Sequence, residues 1–304
     1  MSRLVVTGAT GFIGNSIVEA ALQRNHDVVA LARNPSWLPR QSTERLHVKR
    51  WQVGEPLPEV GEAKALIHLA AHVPADFSDA KAASSCFDIN VLGAMEIAEQ
   101  AADQGIEKFI HFSSGQIYST ELTSATEQSL AYPVGRATYY LASKLAGELC
   151  VQYVTKRRNI EVIVFRLASI YGPGMHPKGM LPHFVQRLAD GEVVHLAEGG
   201  GYHVDFAYIG DVIDITFSAL ASRASGIFNV GSGVASTSLQ AATVIADVLG
   251  ADRKLIEVEG EKKENGFAAL DVTKARESFG FQPRSLEEGV SAWLGHERET
   301  IQSR

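Results

Sequence analysis

The stretch that most constrains this chain runs from Arg3 to Gly14. Four residues, Arg3-Leu4-Val5-Val6, read as a strand, and Thr7-Gly8-Ala9-Thr10-Gly11-Phe12-Ile13-Gly14 follows as a glycine-rich turn. The turn opens a segment, Phe12 to Leu22, whose apolar residues recur with helical spacing. A strand, a tight turn and a helix in this order place the free N–H groups and the positive dipole end of the helix against an anionic ligand. Each glycine has a separate task. Gly8 permits the turn, Gly11 lets the backbone approach a pyrophosphate, and Gly14 lets helix and strand pack closely. The G-x-x-G-x-x-G spacing departs from the commoner G-x-G-x-x-G. Its place after an N-terminal strand favours a dinucleotide site over a plain turn.

The pattern continues as alternating strands and helices. Strands are expected at Val28–Leu31, Leu46–Val48, Ala65–Ala71, Phe109–Phe112 and Val162–Phe165, with helices over Ala80–Gln104 and Tyr139–Val154. Such alternation is satisfied by an α/β fold, a Rossmann-type doubly wound parallel sheet covered on both faces. After Tyr171 the pattern loosens. A dinucleotide-binding domain is therefore expected over residues 1–171, with 205–231 returning to it. Residues 172–204 and 232–304 are expected to form a smaller C-terminal substrate lobe. The 304 residues suffice for this core, and a net charge of −7 argues against non-specific binding to nucleic acid or anionic membranes. Two cysteines, Cys86 and Cys150, do not make a disulfide framework, and no metal-ligand spacing is present. No leader-like or membrane-spanning run is read, and a cytoplasmic location is expected.

Chemistry is concentrated in Tyr140-Leu141-Ala142-Ser143-Lys144. Residues four apart share a helix face, so Lys144 stands one turn from Tyr140. An ammonium near a phenol favours the phenolate and lowers its pKa. A phenol so tuned exchanges a proton with a substrate oxygen. Tyr139 has only Ser143 at that spacing. Ser113 and Ser114 follow the strand Phe109–Phe112, which puts their hydroxyls at the carboxyl end of the sheet, where a hydroxyl can bond a substrate oxygen as charge develops.

With these motifs the chain resembles the extended short-chain dehydrogenase/reductases, specifically the NAD-dependent epimerase/dehydratase group. The resemblance rests on Thr7 to Gly14, His68-Leu69-Ala70-Ala71, Asn90, Ser113-Ser114 with Tyr118, and Tyr140 to Glu148. It continues through Arg166 to Gly174 and Asp205-Phe206-Ala207-Tyr208-Ile209 with Asp211. It implies Tyr140 as acid/base, Lys144 as its partner and holder of the nicotinamide ribose, and Ser114 as the third catalytic residue. Gly8, Thr10, Gly11, Phe12, Ile13, Gly14, Leu69, Ala70, Ala71, Asn90 and Ser113 are expected to line the cofactor with Tyr140 and Lys144. Gln116, Ser169, Met180 and His203 are expected to meet substrate. A homodimer through the two long helices is also implied, with Ala94, Ile97, Ala101, Leu145, Leu149 and Val151 as apolar residues beyond one stripe.

Three departures from the family pattern refine this expectation. Dehydratases carry Asp-Glu directly after the catalytic Ser/Thr, whereas Gly115-Gln116 stands here, favouring epimerisation or carbonyl reduction. The second strand ends Ala32-Arg33, without the carboxylate of NAD-preferring members, and Arg33 is suited to a 2′-phosphate, so NADP is the expected cofactor. The arginine that holds the diphosphate of a nucleotide sugar is replaced by Val204, beside His203, unless Arg187, Lys178 or Lys263 substitutes. The expected function is an NAD(P)-dependent epimerase or reductase acting on a sugar, by family habit a nucleotide sugar. Alternatives are an NADP-dependent reductase of a non-nucleotide carbonyl compound and a non-catalytic dinucleotide sensor.

Overall fold

The computed structural model describes residues 2–35, 44–133 and 137–302. Strand β1 (Arg3–Thr7) leads through the glycine turn into helix α1 (Phe12–Gln23), and β2 (Asp27–Ala32) and β3 (Leu46–Arg50) follow. After β4 (Ala65–His68) comes a helix in three parts: α2 (Ala82–Phe87), a π turn over Asp88–Gly93, and α3 (Ala94–Asp103). Strand β5 (Lys108–Ser114) ends in a 3₁₀ turn, Gly115–Ile117, followed by β6 (Ser124–Ala125), α4 (Thr138–Arg157), β7 (Glu161–Leu167) and β8 (Ser169–Tyr171). Beyond these lie α5 (Met180–Ala189), β9 (Val194–Leu196), β10 (Tyr202–Tyr208), α6 (Ile209–Ala221) and β11 (Gly226–Val230). The chain ends with β12 (Ala235–Thr237), α7 (Ser238–Leu249), β13 (Ile256–Val258), β14 (Asn265–Gly266), β15 (Ala269–Leu270), α8 (Thr273–Phe279) and α9 (Leu286–Gln302).

Seven strands form one sheet in the order β11-β7-β5-β4-β1-β2-β3. β1 runs parallel to β2 and β4, β2 to β3, and β4 to β5. The order reverses between β1 and β4. This is the doubly wound arrangement expected from the alternation, and its ligand crevice opens past the carboxyl ends of those two strands.

The chain divides into two compact units. The first comprises Met1–Ile117, Ala131–Arg166 and Thr216–Phe228. Its core packs Val5, Leu31, Leu66 and Phe109 of the sheet against Ile97 and Val151 of the helices. The second comprises Tyr118–Leu130, Leu167–Ile215 and Asn229–Arg304. Its core gathers Tyr171, Phe184, Val204, Phe206, Ile245 and Trp293.

Several expectations shift at this point. Asp205 to Ile215 belongs to the second unit, because β10 pairs with β8, β12 and β14 and not with the large sheet. Residues Tyr118–Leu130 and Leu167–Tyr171 also lie in the second unit. β4 stops at His68 because the N–H groups of Leu69 and Ala70 turn to Thr7 Oγ1, at 3.1 and 3.2 Å, and leave the ladder. The expected helix from Ala80 to Gln104 is interrupted by its π turn.

Two glycines carry the first turn. Gly8 has φ +66°, and a Cβ there would stand 2.8 Å from Ala70 N. A Cβ on Gly14 would meet Gly8 O at 2.1 Å. Gly14→Ala should therefore destabilise by about 1–3 kcal/mol, the usual cost of overpacking. Gly295, on α9, has open space beyond its Cα. Gly295→Ala should instead stabilise by about 0.5–1 kcal/mol. Urea denaturation of the two variants should show these opposite signs.

Candidate active site

The crevice is built from the ends of β1, β4 and β5 and one face of α4. Thr7 closes β1 and is fully buried. Its Oγ1 bonds His68 Nδ1 at 2.9 Å as well as the two loop N–H groups. One hydroxyl thus fixes Leu69, Ala70 and the turn at Gly8 relative to each other. The sequence reading passed over this role of Thr7, although its short polar side chain at a strand end was the available signal.

Gly11 is the N-cap of α1 and supplies no side-chain cap, and the first turn of that helix holds no acidic residue. Its N–H donates to Gly8 O at 2.9 Å. An uncapped twelve-residue helix whose entry is kept bare by glycine suits a pyrophosphate. Ser113 Oγ is buried and makes no hydrogen bond within the described protein. The bare cradle and this orphaned hydroxyl fit the dinucleotide that the sequence implies. Gly8, Thr10, Gly11, Phe12, Ile13 and Gly14 would hold its phosphates, Leu69 to Ala71 would flank it, and Lys144 and Ser113 would reach its far end.

Asn90, expected to line the cofactor, has its side-chain amide bonded within the protein. It sits in the π turn and is buried. Its Oδ1 accepts from His72 N at 2.7 Å, while its Nδ2 donates to His72 O at 3.1 Å and to Ser143 Oγ at 2.9 Å. The amide holds the loop after β4 against α4.

Helix α4 is unusual in which face it buries. Ser143, Lys144, Glu148 and Thr155 lie inside, while Leu149 and Tyr153 are exposed. Tyr140 and Lys144 share the inner face one turn apart, as the spacing requires. Lys144 is 5% exposed, and its Nζ donates to Phe112 O at 2.5 Å. Burial lowers its pKa to about 8, against which the charge of Glu148 raises it.

The expected depression of the phenol is not found. Burial, with a smaller contribution from Cys86, pushes Tyr140 up to about 12. Desolvation disfavours the phenolate, and the lysine ammonium is turned to the Phe112 carbonyl. Tyr140 is therefore a protonated phenol at neutral pH, with the ring of Phe77 edge-on at 5.8 Å. Ser114 Oγ, at the end of β5, accepts from Gln116 N at 3.2 Å.

His68 and His111 lie behind the lysine, with rings stacked at 5.6 Å. Burial, reinforced by the charge of Lys144, lowers His68 to about 3 and His111 well below its usual value. Both are neutral. His68 Nε2 and both ring nitrogens of His111 make no hydrogen bond within the described protein.

The remaining predicted residues fall into two groups. Arg33 is exposed just past the end of β2, and Gln116 lies in the 3₁₀ turn of the first unit. Ser169, Met180 and His203 belong to the second unit, with Met180 against its core and His203 Nδ1 3.3 Å from Asn265 O. Tyr118 and Asp205 are structural within that unit. The Tyr118 hydroxyl donates to Asn229 Oδ1 at 2.7 Å. Asp205 accepts from the N–H groups of Ser232, Gly233 and Leu270 and from Ser232 Oγ. Val204 is buried in the core, Arg187 is paired with Glu192, and Lys263 with Glu198. Among the described residues no cluster of three His, Cys, Asp or Glu could hold a metal ion.

The fold and this crevice define a dinucleotide-binding enzyme with a Tyr/Lys pair. A family model described as the NAD dependent epimerase/dehydratase family matches residues 4–231. The chain belongs to the NAD dependent epimerase/dehydratase family and is an enzyme of that family. It is similar to UDP-glucose 4-epimerase of Mycolicibacterium smegmatis, 29% identical over 95% of this chain and 96% of the relative. A crystal structure of the dTDP-glucose 4,6-dehydratase DesIV of Streptomyces venezuelae, with NAD bound, superposes with a TM-score of 0.82 at 27% identity, covering 98% of this chain and 97% of that one. The UDP-glucose 4-epimerase of Thermotoga maritima has the same fold, with a TM-score of 0.84 at 23% identity over 98% and 99% of the two chains.

The lowered pKa of Lys144 has a thermodynamic sign. The unfolded lysine holds its proton up to about 10.5, the folded one only to about 8. Between these values the unfolded state binds more protons, so stability rises with pH through the window, and the cost is fully present below it. The stability of the wild type minus that of Lys144→Met should climb by about 3 kcal/mol from pH 8 to 10.5. Denaturant titrations across that range would measure it, and a flat difference would refute it.

Proposed function

We propose that the protein is an epimerase or reductase that moves a hydride at a hydroxyl or carbonyl carbon of a nucleotide sugar. The observation that carries this reading is the placement of Tyr140, Lys144 and Ser114 around the ends of β5 and α4, in the unit that holds the glycine cradle. When bound, the nicotinamide supplies or accepts the hydride. Tyr140 moves a proton at the substrate oxygen, and Ser114 Oγ donates a hydrogen bond to the same oxygen as its charge develops. Lys144 holds the ribose, and its charge offsets part of the cost of forming a phenolate in a buried site when Tyr140 gives up its proton. Gly115 and Gln116 offer no acid or base for water elimination, which favours epimerisation or reduction over the dehydration named for DesIV. A nucleotide sugar is supported by the curated epimerase and dehydratase relatives. Lys178 is the one of the three candidate diphosphate holders that makes no ion pair among the described residues.

The cofactor class is a nicotinamide dinucleotide. We read its finer identity as NADP from Ala32 and the exposed Arg33, against solved relatives that carry NAD. A homodimer is supported by exposed apolar side chains beside the site: Phe87, Leu92, Leu149 and Tyr153 are 41–71% exposed. Of the residues expected on that face, Ala94, Ile97, Ala101 and Val151 are instead buried in the core, Leu145 is half-buried and Leu149 alone is exposed. A cytoplasmic location is supported by two free thiols, Cys86 and Cys150. Among the described residues no helix is long and apolar enough to cross a membrane.

Turnover of a panel of UDP- and dTDP-sugars, followed by nicotinamide absorbance and product chromatography, tests the reaction. Tyr140→Phe should lose about a hundred- to ten-thousand-fold in rate with cofactor affinity retained. Ser114→Ala should lose less, since one hydrogen bond goes and the proton carrier stays. Near-normal turnover in Tyr140→Phe would remove the assignment. For the cofactor, Arg33→Ala should weaken NADP about tenfold or more and leave NAD unchanged. Equal losses for both would sink the NADP assignment.

A further inference from the structure

The inner face of α4 does not end at the lysine. Tyr140, Lys144 and Glu148 follow at successive turns. Glu148 is fully buried and pairs with Arg166 of β7, itself 5% exposed, both within the first unit. Arg166 Nε donates to both carboxylate oxygens at 3.1 Å, and its second terminal nitrogen donates to Oε2 at 2.7 Å. A buried carboxylate bound by a guanidinium fork is held in one place and one orientation. A buried ion pair of this kind is weak evidence of a stabilising role, since packed apolar residues commonly serve as well. Its place in line with the Tyr/Lys pair calls for another account.

Lys144 needs such a charge. The groups facing it are His68 from β4, His111 from β5, and Tyr140 and Glu148 from its own helix, with Cys86 of α2 beside Tyr140. The imidazoles and the phenol are neutral, the thiol's pKa is raised by burial, and the lysine's hydrogen bond goes to the neutral Phe112 carbonyl. Among the described residues Glu148 is thus the carboxylate whose charge acts on the buried ammonium.

We propose that Glu148, fixed by Arg166, is a positioning residue that keeps Lys144 a cation in the buried site. It touches neither substrate nor cofactor and acts only through the lysine. The inference rests on the reading of Lys144 as the partner of Tyr140, and its test is chosen to separate the two.

The test is a pH titration of the full chain labelled with ¹³C at lysine Cε, in which the Lys144 signal is assigned by its loss in Lys144→Met. The wild-type signal should titrate near pH 8. Glu148→Gln should move the midpoint down by at least one pH unit, and Glu148→Asp should restore most of it. If Glu148→Gln does not fold, the double variant Glu148→Gln/Arg166→Met leaves no unpaired guanidinium and should still move the midpoint down, by less, because loss of the Arg166 cation acts in the opposite direction. The pH–rate profile should follow, with the alkaline limb of kcat/KM shifting down in Glu148→Gln while the cofactor Kd at pH 6 is unchanged. A Lys144 midpoint unmoved in both variants would overturn the proposal. A midpoint that moves while the rate profile does not would uphold the action of Glu148 on Lys144 and refute the catalytic reading of the lysine.

Discussion

The contact on which the rest of the first unit depends is backbone against backbone, at Gly8 and Gly14. Helix α1 lies so close to the end of β1 that no Cβ fits between them. This closeness brings an uncapped helix end over the point where the sheet order reverses. Thr7 completes the arrangement by tying the neighbouring strand end to the same turn. A dinucleotide site of this kind is made mainly of absent atoms: two missing side chains and a first helical turn without carboxylates. Few alternative sequences give such a surface, which is why so short a segment constrained the whole reading.

The large sheet, its flanking helices and the Tyr/Lys register were legible because they follow from short-range periodicity. A spacing of four on α4 has one geometric outcome, and the glycine turn after a strand has few. What was not legible depended on long-range partners. The phenol of Tyr140 was expected to be depressed by Lys144, but burial is a property of everything packed around it. The direction in which the lysine points is set by a carbonyl 32 residues earlier in the chain. Asn90 was read as a cofactor contact, and only the fold shows that its amide is spent on His72 and Ser143. The division of Asp205 to Ile215 could not be read either, because strand pairing of β10 is decided by segments far away in sequence.

Helix α4 illustrates why amphipathic patterns mislead at functional sites. Its inner face carries a phenol, an ammonium, a carboxylate and hydroxyls, while leucine and tyrosine side chains face outward. Its apolar residues are divided between the faces, Leu141, Val151 and Val154 inside and Leu149 and Tyr153 outside, so the pattern does not say which face turns inward. The buried polar groups are tolerated because each is answered: Lys144 by a carbonyl, Glu148 by Arg166, Ser143 by Asn90 and Thr155 by the Val151 carbonyl. The two histidines are held uncharged nearby. The site thus buries a small set of polar and charged groups, and its chemistry depends on how they are paired.

The π turn between α2 and α3 has a consequence for how this region tolerates change in length. A π turn of this kind accommodates one residue more than a regular helix would over the same path. Removing a single residue there would let the segment close into continuous α-helix with the faces of α2 and α3 still in phase with the core. The fold would survive that deletion, but Asn90 would swing out of line with His72. The loop after β4 and the start of α4 would then be uncoupled from each other. The extra residue acts as a spacer that sets the angle of one amide, and insertion or deletion at this point would alter the site while leaving the architecture in place.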